Sequence, residues 1–326
     1  MSSPLIEVEN LTKYYPIQRG WVATLFTKQK QLVHAVDGVS LEIRRGETFG
    51  LVGESGSGKT TTGRLIVKLE EPTSGTIKFG RKDLRCMKGE ERRRTRQEMQ
   101  MIFQDPFASL NPRMKVGDII SEGLDIRGIR DSRERNERVS QTMENVGLTP
   151  PELFADRYPH ELSGGQRQRV GIARAIAVGP RFVAADEPVS SLDVSIRAQV
   201  LNLMLQLKKS LGLTYLLISH DITVVKYMSE DMAVMYLGKV VESAASDVLF
   251  GNPLHPYTKA LFSAIPTLDS SERQVPLHGE MPSPVEPPRG CRFHTRCPSR
   301  RDKCSLDEPP LIDIERAHKV ACWNAQ

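Results

Sequence analysis

The run Gly53-Glu54-Ser55-Gly56-Ser57-Gly58-Lys59-Thr60 places a lysine and a hydroxyl directly behind three glycines. Gly, four residues, Gly-Lys-Thr is the spacing of a phosphate cradle. The glycines let the backbone turn tightly so that its N–H groups converge, and a helix starting near Lys59 would add the positive end of its dipole. Lys59 would then reach the β- and γ-phosphates of a nucleotide, Thr60 would ligate its magnesium, and Thr61 would continue the nucleotide-contacting run. A second Gly-rich run, Leu162-Ser163-Gly164-Gly165-Gln166, stands at another helix start and reads as another anion site. Polar residues close three apolar runs: Gln104 after Met99 to Phe103, Asp186-Glu187 after Phe182 to Ala185, and His220 after Thr214 to Ile218; by themselves they read equally as a turn residue, a solvated strand end and a satisfied histidine.

The elements that must position these groups alternate between strands and helices. Glu47 to Val52 is a short apolar run that reads as a buried strand leading into the phosphate loop. A helix is expected through Thr62 to Lys68, closed by Pro72-Thr73-Ser74-Gly75 before the strand Thr76 to Phe79. Val116 to Val146 has a charged helical pattern that ends at Gly147 and Pro150-Pro151. Arg167 to Val178 reads as a helix with Val170, Ile172, Ala173, Ile176 and Ala177 on its apolar side, and Ser190-Ser191-Leu192-Asp193 precedes another that runs to about Leu211. Polar residues at the C-terminal end of each strand indicate a mostly parallel α/β sheet with its site along that edge. Near the N-terminus, Leu5 to Val8 and Val36 to Ile43 predict antiparallel strands, separated by an irregular stretch that includes Tyr14-Tyr15-Pro16 and Gly20 to Gln31. Two short strands flank Gly238, and Tyr257 to Ala264 predicts a helix among prolines.

The 326 residues suffice for at least one full core, and the net charge of +5 is small beside 45 basic and 40 acidic residues. Between Arg81 and Arg96 eight bases face three acids, but the acids are interspersed and no aromatic residues are interleaved, so a solvated helix face is expected and no nucleic-acid partner. Met1 to Leu11 carries Glu7 and Glu9 rather than a basic leader, and nowhere do about 18 apolar residues run together. The chain is therefore expected to be neither exported nor membrane-spanning. From Ser270 the tail is rich in proline and charge and cannot build much apolar core by itself.

The order of the motifs, phosphate loop, Gln104, Leu162 to Gln166, Asp186-Glu187, Ser190 to Asp193 and His220, resembles that of the ATP-binding subunits of ABC transporters over residues 5 to 250. The resemblance implies a P-loop (RecA-like) α/β core with an N-terminal antiparallel β subdomain and a helical subdomain inserted at about residues 107–168. It further implies that Tyr15 stacks on adenine, with Tyr14 as the adjacent alternative, that Gly53 to Thr61 bind ATP, and that Asp186, Thr60 and Gln104 serve Mg2+. Glu187 would be the general base, with His220 and Gln104 completing the catalytic set. Leu162, Ser163, Gly164, Gly165 and Gln166 would be the signature motif that caps ATP held by another subunit, and Asp193 would belong to the D-loop. The finer resemblance, carried by Asn252 to Thr258, Pro282-Ser283-Pro284 and Gly290 to Pro298, is to the second ATP-binding subunit of bacterial oligopeptide and dipeptide importers. It implies a nucleotide-binding domain over 1–255, an importer-type extension over 256–326, two transmembrane permease subunits and a second, paralogous ATP-binding subunit. An extracytoplasmic solute-binding protein would act indirectly, with this chain peripheral on the cytoplasmic face of the inner membrane. Relatives with the same energy module serve nickel and other small solutes. A soluble ABC ATPase acting on DNA or the ribosome would show a coiled-coil insertion, zinc-hook cysteines or a second cassette, and none is present.

Cys291, Cys297, Cys304 and Cys322 are separated by five, six and seventeen residues. The close pairs of structural zinc sites are missing and the spacing differs from the ferredoxin run, so the residues alone leave iron–sulfur and unligated thiols both open. Similarity to the peptide-importer extension implies a [4Fe-4S] cluster on these four cysteines, with neighbouring arginines to offset its charge.

Overall fold

Branched and aromatic side chains make long strands of Pro4–Pro16 (β1) and Leu32–Arg44 (β2) in the computed structural model, which describes residues 3–17, 31–264, 279–315 and 317–325. Thr48–Val52 (β3) leads through the glycine loop into Lys59–Ile66 (α1), and Ser74–Phe79 (β4) and Lys82–Asp83 (β5) follow. Gly89–Glu98 (α2), Met99–Ile102 (β6) and the short helix Pro106–Ser109 (α3) come next. The helices Val116–Arg127 (α4), Ser132–Asn145 (α5), Glu152–Ala155 (α6) and Gly164–Ile176 (α7) precede Phe182–Asp186 (β7). Val194–Leu211 (α8), Thr214–Ser219 (β8), Ile222–Met228 (α9), Asp231–Tyr236 (β9), Lys239–Ala245 (β10), Ser246–Gly251 (α10) and Pro256–Ser263 (α11) continue the chain. The tail contributes Asp302–Leu306 (α12), Ile312–Glu315 (β11) and His318–Val320 (β12).

The chain forms two compact units, each gathered from separate stretches. The first consists chiefly of Arg44–Thr48 with Cys86–Leu217. Here β6 and β7 run parallel, with Met99 opposite Phe182 and Ile102 opposite Ala185, and β7 neighbours β8. All five β7 residues are buried, which matches its unbroken apolar sequence. Around this sheet α7 packs on β6, α3, α4, α5 and α8, turning Val170, Ile172, Ala173 and Ile176 inward.

The second unit gathers Pro4–Ile43, Phe49–Arg85 and Ile218–Gln326. One sheet has the order β2-β1-β4-β5, with β1 antiparallel to β4 and β4 to β5. The other runs β11-β12-β10-β9-β3; β3 is parallel to β9 and the remaining pairs are antiparallel. Leu237 and Gly238, with φ of 44° and 82°, make the tight β9–β10 turn. Tail strand β12 depends on β10 for pairing, and tail residue Phe293 is 1% exposed against Tyr236, Tyr257 and His255. The tail thus completes a core that the rest of this unit supplies.

Three sequence expectations need correction. Tyr14 to Pro16 continue β1 instead of opening a loop, because the Tyr14 N–H donates to Thr73 Oγ1 at 3.0 Å and the Thr73 N–H to Thr12 O at 2.8 Å. The pattern Val116 to Val146 is two helices, since Gly128 at φ 89° closes α4 with its N–H on Asp125 O. Helix α7 begins at Gly164 rather than Arg167, because Ser163 caps it. Gly20 to Lys30, with Trp21 and Phe26, and Pro266, Ser270 and Pro276 lie outside the described residues.

Candidate functional site

In the second unit the glycine loop has the conformation its composition demands. Gly53, Gly56 and Gly58 adopt φ of 150°, 79° and 103°. A Cβ on Gly58 would stand 2.2 Å from Ala35 O and one on Gly53 2.2 Å from Met235 O, so neither position admits a side chain. The Lys59 ammonium turns back into the loop and donates to Gly53 O at 2.7 Å, Glu54 O at 2.8 Å and Ser57 Oγ at 3.4 Å. Ser55 and Gly56 are exposed, while Thr60 and Thr61 are half-buried in the first turn of α1. A cation, converging amides and a helix start form a fitting seat for phosphate.

Elsewhere in this unit Tyr14 and Tyr15 part ways. The Tyr14 hydroxyl donates to Asp37 at 2.7 Å and its ring lies 4.2 Å from that of His34. The Tyr15 hydroxyl donates to the Glu70 carboxylate, and Lys13 Nζ sits 4.9 Å above its ring. Burial, then the Glu70 bond, pushes the Tyr15 phenol up to about 12. His220 is exposed at the end of β8, directly before Asp221, which caps α9 by accepting from Thr223 N–H at 3.0 Å.

The first unit holds the carboxylates and the second Gly-rich run. Because β6 and β7 are parallel and in register, their C-terminal ends share one edge, and the Gln104 side-chain amide donates to Glu187 Oε2 at 2.8 Å. Asp186, the last residue of β7, is 2% exposed. Ser163 Oγ accepts the Gln166 N–H at 3.3 Å while Gln166 Oε1 accepts the Ser163 N–H at 2.9 Å, a reciprocal cap at the start of α7. Leu162 is buried just before it, and a Cβ on Gly165 would meet Ile196 Cγ2 at 2.6 Å, whereas one on Gly164 would have room. Asp193 occupies the exposed N-cap of α8 without a side-chain cap bond. The phosphate loop, Tyr15 and His220 therefore belong to one unit, and Gln104, Asp186, Glu187, Asp193 and Leu162 to Gln166 to the other.

The four tail cysteines are free and lie in the second unit, with Cys304 and Cys322 buried. The Cys291 N–H donates to Cys304 O at 2.8 Å. Burial, with added repulsion from Cys304, Cys322 and Cys297, pushes the Cys291 thiol up to about 11, and burial raises Cys297 and Cys322 as well. Among the described residues no group of three His, Cys, Asp or Glu converges to hold a single metal ion. Two contacts to the phosphate loop were invisible in sequence: Glu54 N–H donates to Tyr257 Oη at 2.9 Å, and Arg296 meets the Glu54 carboxylate at 3.0 Å. They come from 203 and 242 residues away, with no motif to announce them.

The profile of the ABC transporter family matches residues 36–190, and that of the oligopeptide/dipeptide transporter C-terminal region matches residues 241–304. A peptide import ATP-binding protein of Brucella ovis is 50% identical over 323 residues, 98% of each chain. The oligopeptide transport ATP-binding protein AppF of Bacillus subtilis is 48% identical over 98% of this chain and 96% of its own. The dipeptide transport ATP-binding protein DppF of Haemophilus influenzae is 46% identical over 99% and 97%. Among solved structures, a dimeric ATP-binding cassette in a post-hydrolysis state bound to ADP and Pi covers 74% of this chain and 98% of its own, at TM-score 0.63 and 28% identity. The cbiO1 cassette of Clostridium perfringens, part of the ABC transporter complex cbiONQ, covers 77% and 92% at TM-score 0.63 and 26% identity.

Proposed function

Because the chain belongs to the ATP-binding proteins of the ABC transporter family that carry the oligopeptide/dipeptide C-terminal region, we propose that it hydrolyses ATP to drive import of di- or oligopeptides. The observation that carries this reading is the phosphate loop with its buried lysine, in a chain whose likeness to peptide importers runs over its whole length. Gly53 to Thr61 bind the phosphates and Tyr15 stacks on the base, with Tyr14 as the adjacent alternative; each hydroxyl is engaged, Tyr15 by Glu70 and Tyr14 by Asp37. By the resemblance Thr60, Asp186 and Gln104 would hold magnesium, which would supply positive charge to the phosphates. Glu187 takes a proton from the water that attacks the γ-phosphorus, the bond to the β-phosphate oxygen breaks, and ADP and phosphate leave. Gln104 orients the Glu187 carboxylate, and His220 steadies the attacking water.

Leu162 to Gln166 present a capped helix start to ATP on a second ATP-binding subunit, a paralogue in our reading, with Asp193 at the contact between them. Two permease subunits receive the work, and a solute-binding protein outside the membrane delivers the peptide. No helix among the described residues is long and apolar enough to cross a membrane, which suits a subunit held peripherally at the inner face by those permeases. The test is to isolate the chain from membranes, identify its associated subunits and measure ATPase activity with and without peptide and binding protein. Peptide-stimulated hydrolysis is expected; a chain that never copurifies with permeases overturns the reading.

The four cysteines are proposed to hold the [4Fe-4S] cluster implied by their resemblance. The backbone bond from the Cys291 N–H to Cys304 O and the burial of Cys304 and Cys322 in the same unit support a common locus. The cluster would cross-link the tail, and Cys291, Cys297, Cys304 and Cys322 would have to lose their protons to receive it. Anaerobically purified protein should contain about four irons per chain if each cysteine binds one. Iron-free protein with four titratable tail thiols rules this out.

A further inference from the structure

Among the described residues, the tail side chain Arg296 reaches the phosphate loop. Arg296 Nη1 donates to both Glu54 carboxylate oxygens, at 3.0 and 3.2 Å, and lies 3.5 Å from Tyr236 Oη. The arginine side chain is 6% exposed and the glutamate 28%, so the pair is shielded from water on the arginine side. Its position is firm. The Arg296 N–H donates to Phe293 O at 3.0 Å, and Phe293 is buried against Tyr236 and Tyr257 at centroid distances of 5.2 and 5.4 Å. Tyr257 in turn receives the Glu54 N–H, so this residue is gripped at its backbone by one element and at its carboxylate by another.

Glu54 is the second residue of a loop built for a polyanion. An uncompensated carboxylate there repels phosphate. We propose that Arg296 is a positioning residue for nucleotide binding: it neutralises Glu54 and holds that carboxylate to the tail. The cysteine-bearing tail thereby becomes part of the nucleotide site through a charge supplied in the same unit. This rests on the reading that the loop binds ATP.

The full chain, titrated with a fluorescent ATP analogue and magnesium, provides the test. Arg296→Met leaves Glu54 unpaired and weakens binding on the order of tenfold. Arg296→Met combined with Glu54→Gln leaves the Glu54 backbone, which the loop uses, in place and removes both side-chain charges, so the dissociation constant returns to within about threefold of the parent. Arg296→Lys keeps the charge without the fork and also stays within about threefold. Unchanged binding by Arg296→Met, or a double variant as weak as the single one, overturns the proposal, because a purely structural arginine is not rescued by removing its partner's charge. If Arg296→Met does not fold, as judged by circular dichroism and gel filtration, the other two variants decide. Weakening of either by more than about threefold is then the refuting result. A parent chain that binds no ATP defeats the functional reading instead and is distinguished by that control.

Discussion

Glu187 takes a left-handed backbone conformation, φ 45°, which an ordinary side chain adopts at a cost of about 1–2 kcal/mol. Its carbonyl is held by the Ser190 N–H and hydroxyl at 3.2 and 3.1 Å, and its carboxylate by Gln104. The rest of the first unit thus fixes a carboxylate in a demanding geometry, as a general base requires. Glu187→Gln keeps the shape and removes the basicity, so kcat should fall at least about 100-fold while ATP still binds. Near-normal turnover in a phosphate-release assay would sink the assignment. At Gly58 strain and space act together: φ of 103° and a carbonyl 2.2 Å from the site of a Cβ. Gly58→Ala should lose the thermal stabilisation that ATP gives the parent chain, measured as the shift in Tm with and without nucleotide. The glycines were legible in the sequence from their fixed spacing before Lys59, whereas the carboxylate pair stood out only through its place in the order of motifs. The positive φ at Glu187 was not legible, because nothing local demands it.

Side-chain caps fix the starts of α7, α9 and α11. Helix α11 begins with His255, whose Nδ1 accepts the Tyr257 N–H at 3.0 Å while its own backbone N–H donates to Glu242 Oε2 at 3.0 Å. Glu242, fully buried, also receives the Leu254 N–H at 2.6 Å and meets His318 Nε2 at 2.7 Å, joining β10, the start of α11 and β12. Burial pushes His255 down to about 3, so the native imidazole stays neutral while the unfolded one takes a proton below about 6.5. Unfolded chains then bind more protons than native ones between those values. Stability from this residue is therefore present above about pH 6.5 and is lost as pH falls towards 3, by up to ~1.4 kcal/mol per unit. Urea melts of the parent and His255→Asn should converge as the pH is lowered; parallel curves would refute the assignment. The helix start was readable from Pro256 and the strands from their apolar runs. The histidine's role as cap and buried neutral group needed the fold, because Glu242 reaches its backbone from 13 residues away and is itself held by His318, 76 residues further on.

Across the whole chain, two units are each assembled from distant stretches, and the second binds the N-terminal strands, the phosphate loop and the tail into one contact network. Arg292, buried beside Cys291, donates to Leu237 O and pairs with Asp37, while Lys239 lies 3.7 Å from the same carboxylate. Phe293 is the apolar counterpart of that polar seam. Phe293→Ala should cost about 3–5 kcal/mol in chemical denaturation, a loss too large for a freely hanging tail. A change below about 1 kcal/mol would show that the tail contributes little to folding. Residue type and short spacing were enough to mark the family and to nominate a phosphate loop and carboxylates, because both are matters of local backbone geometry and side-chain chemistry. Only the tertiary structure decided that β1 runs on through Tyr15, that Gln104 touches Glu187, and that Arg296 reaches Glu54. Those facts depend on strand pairing and on side chains brought together over tens to hundreds of residues, where no local propensity acts. The phosphate loop was legible as a motif; its arginine was legible only in three dimensions.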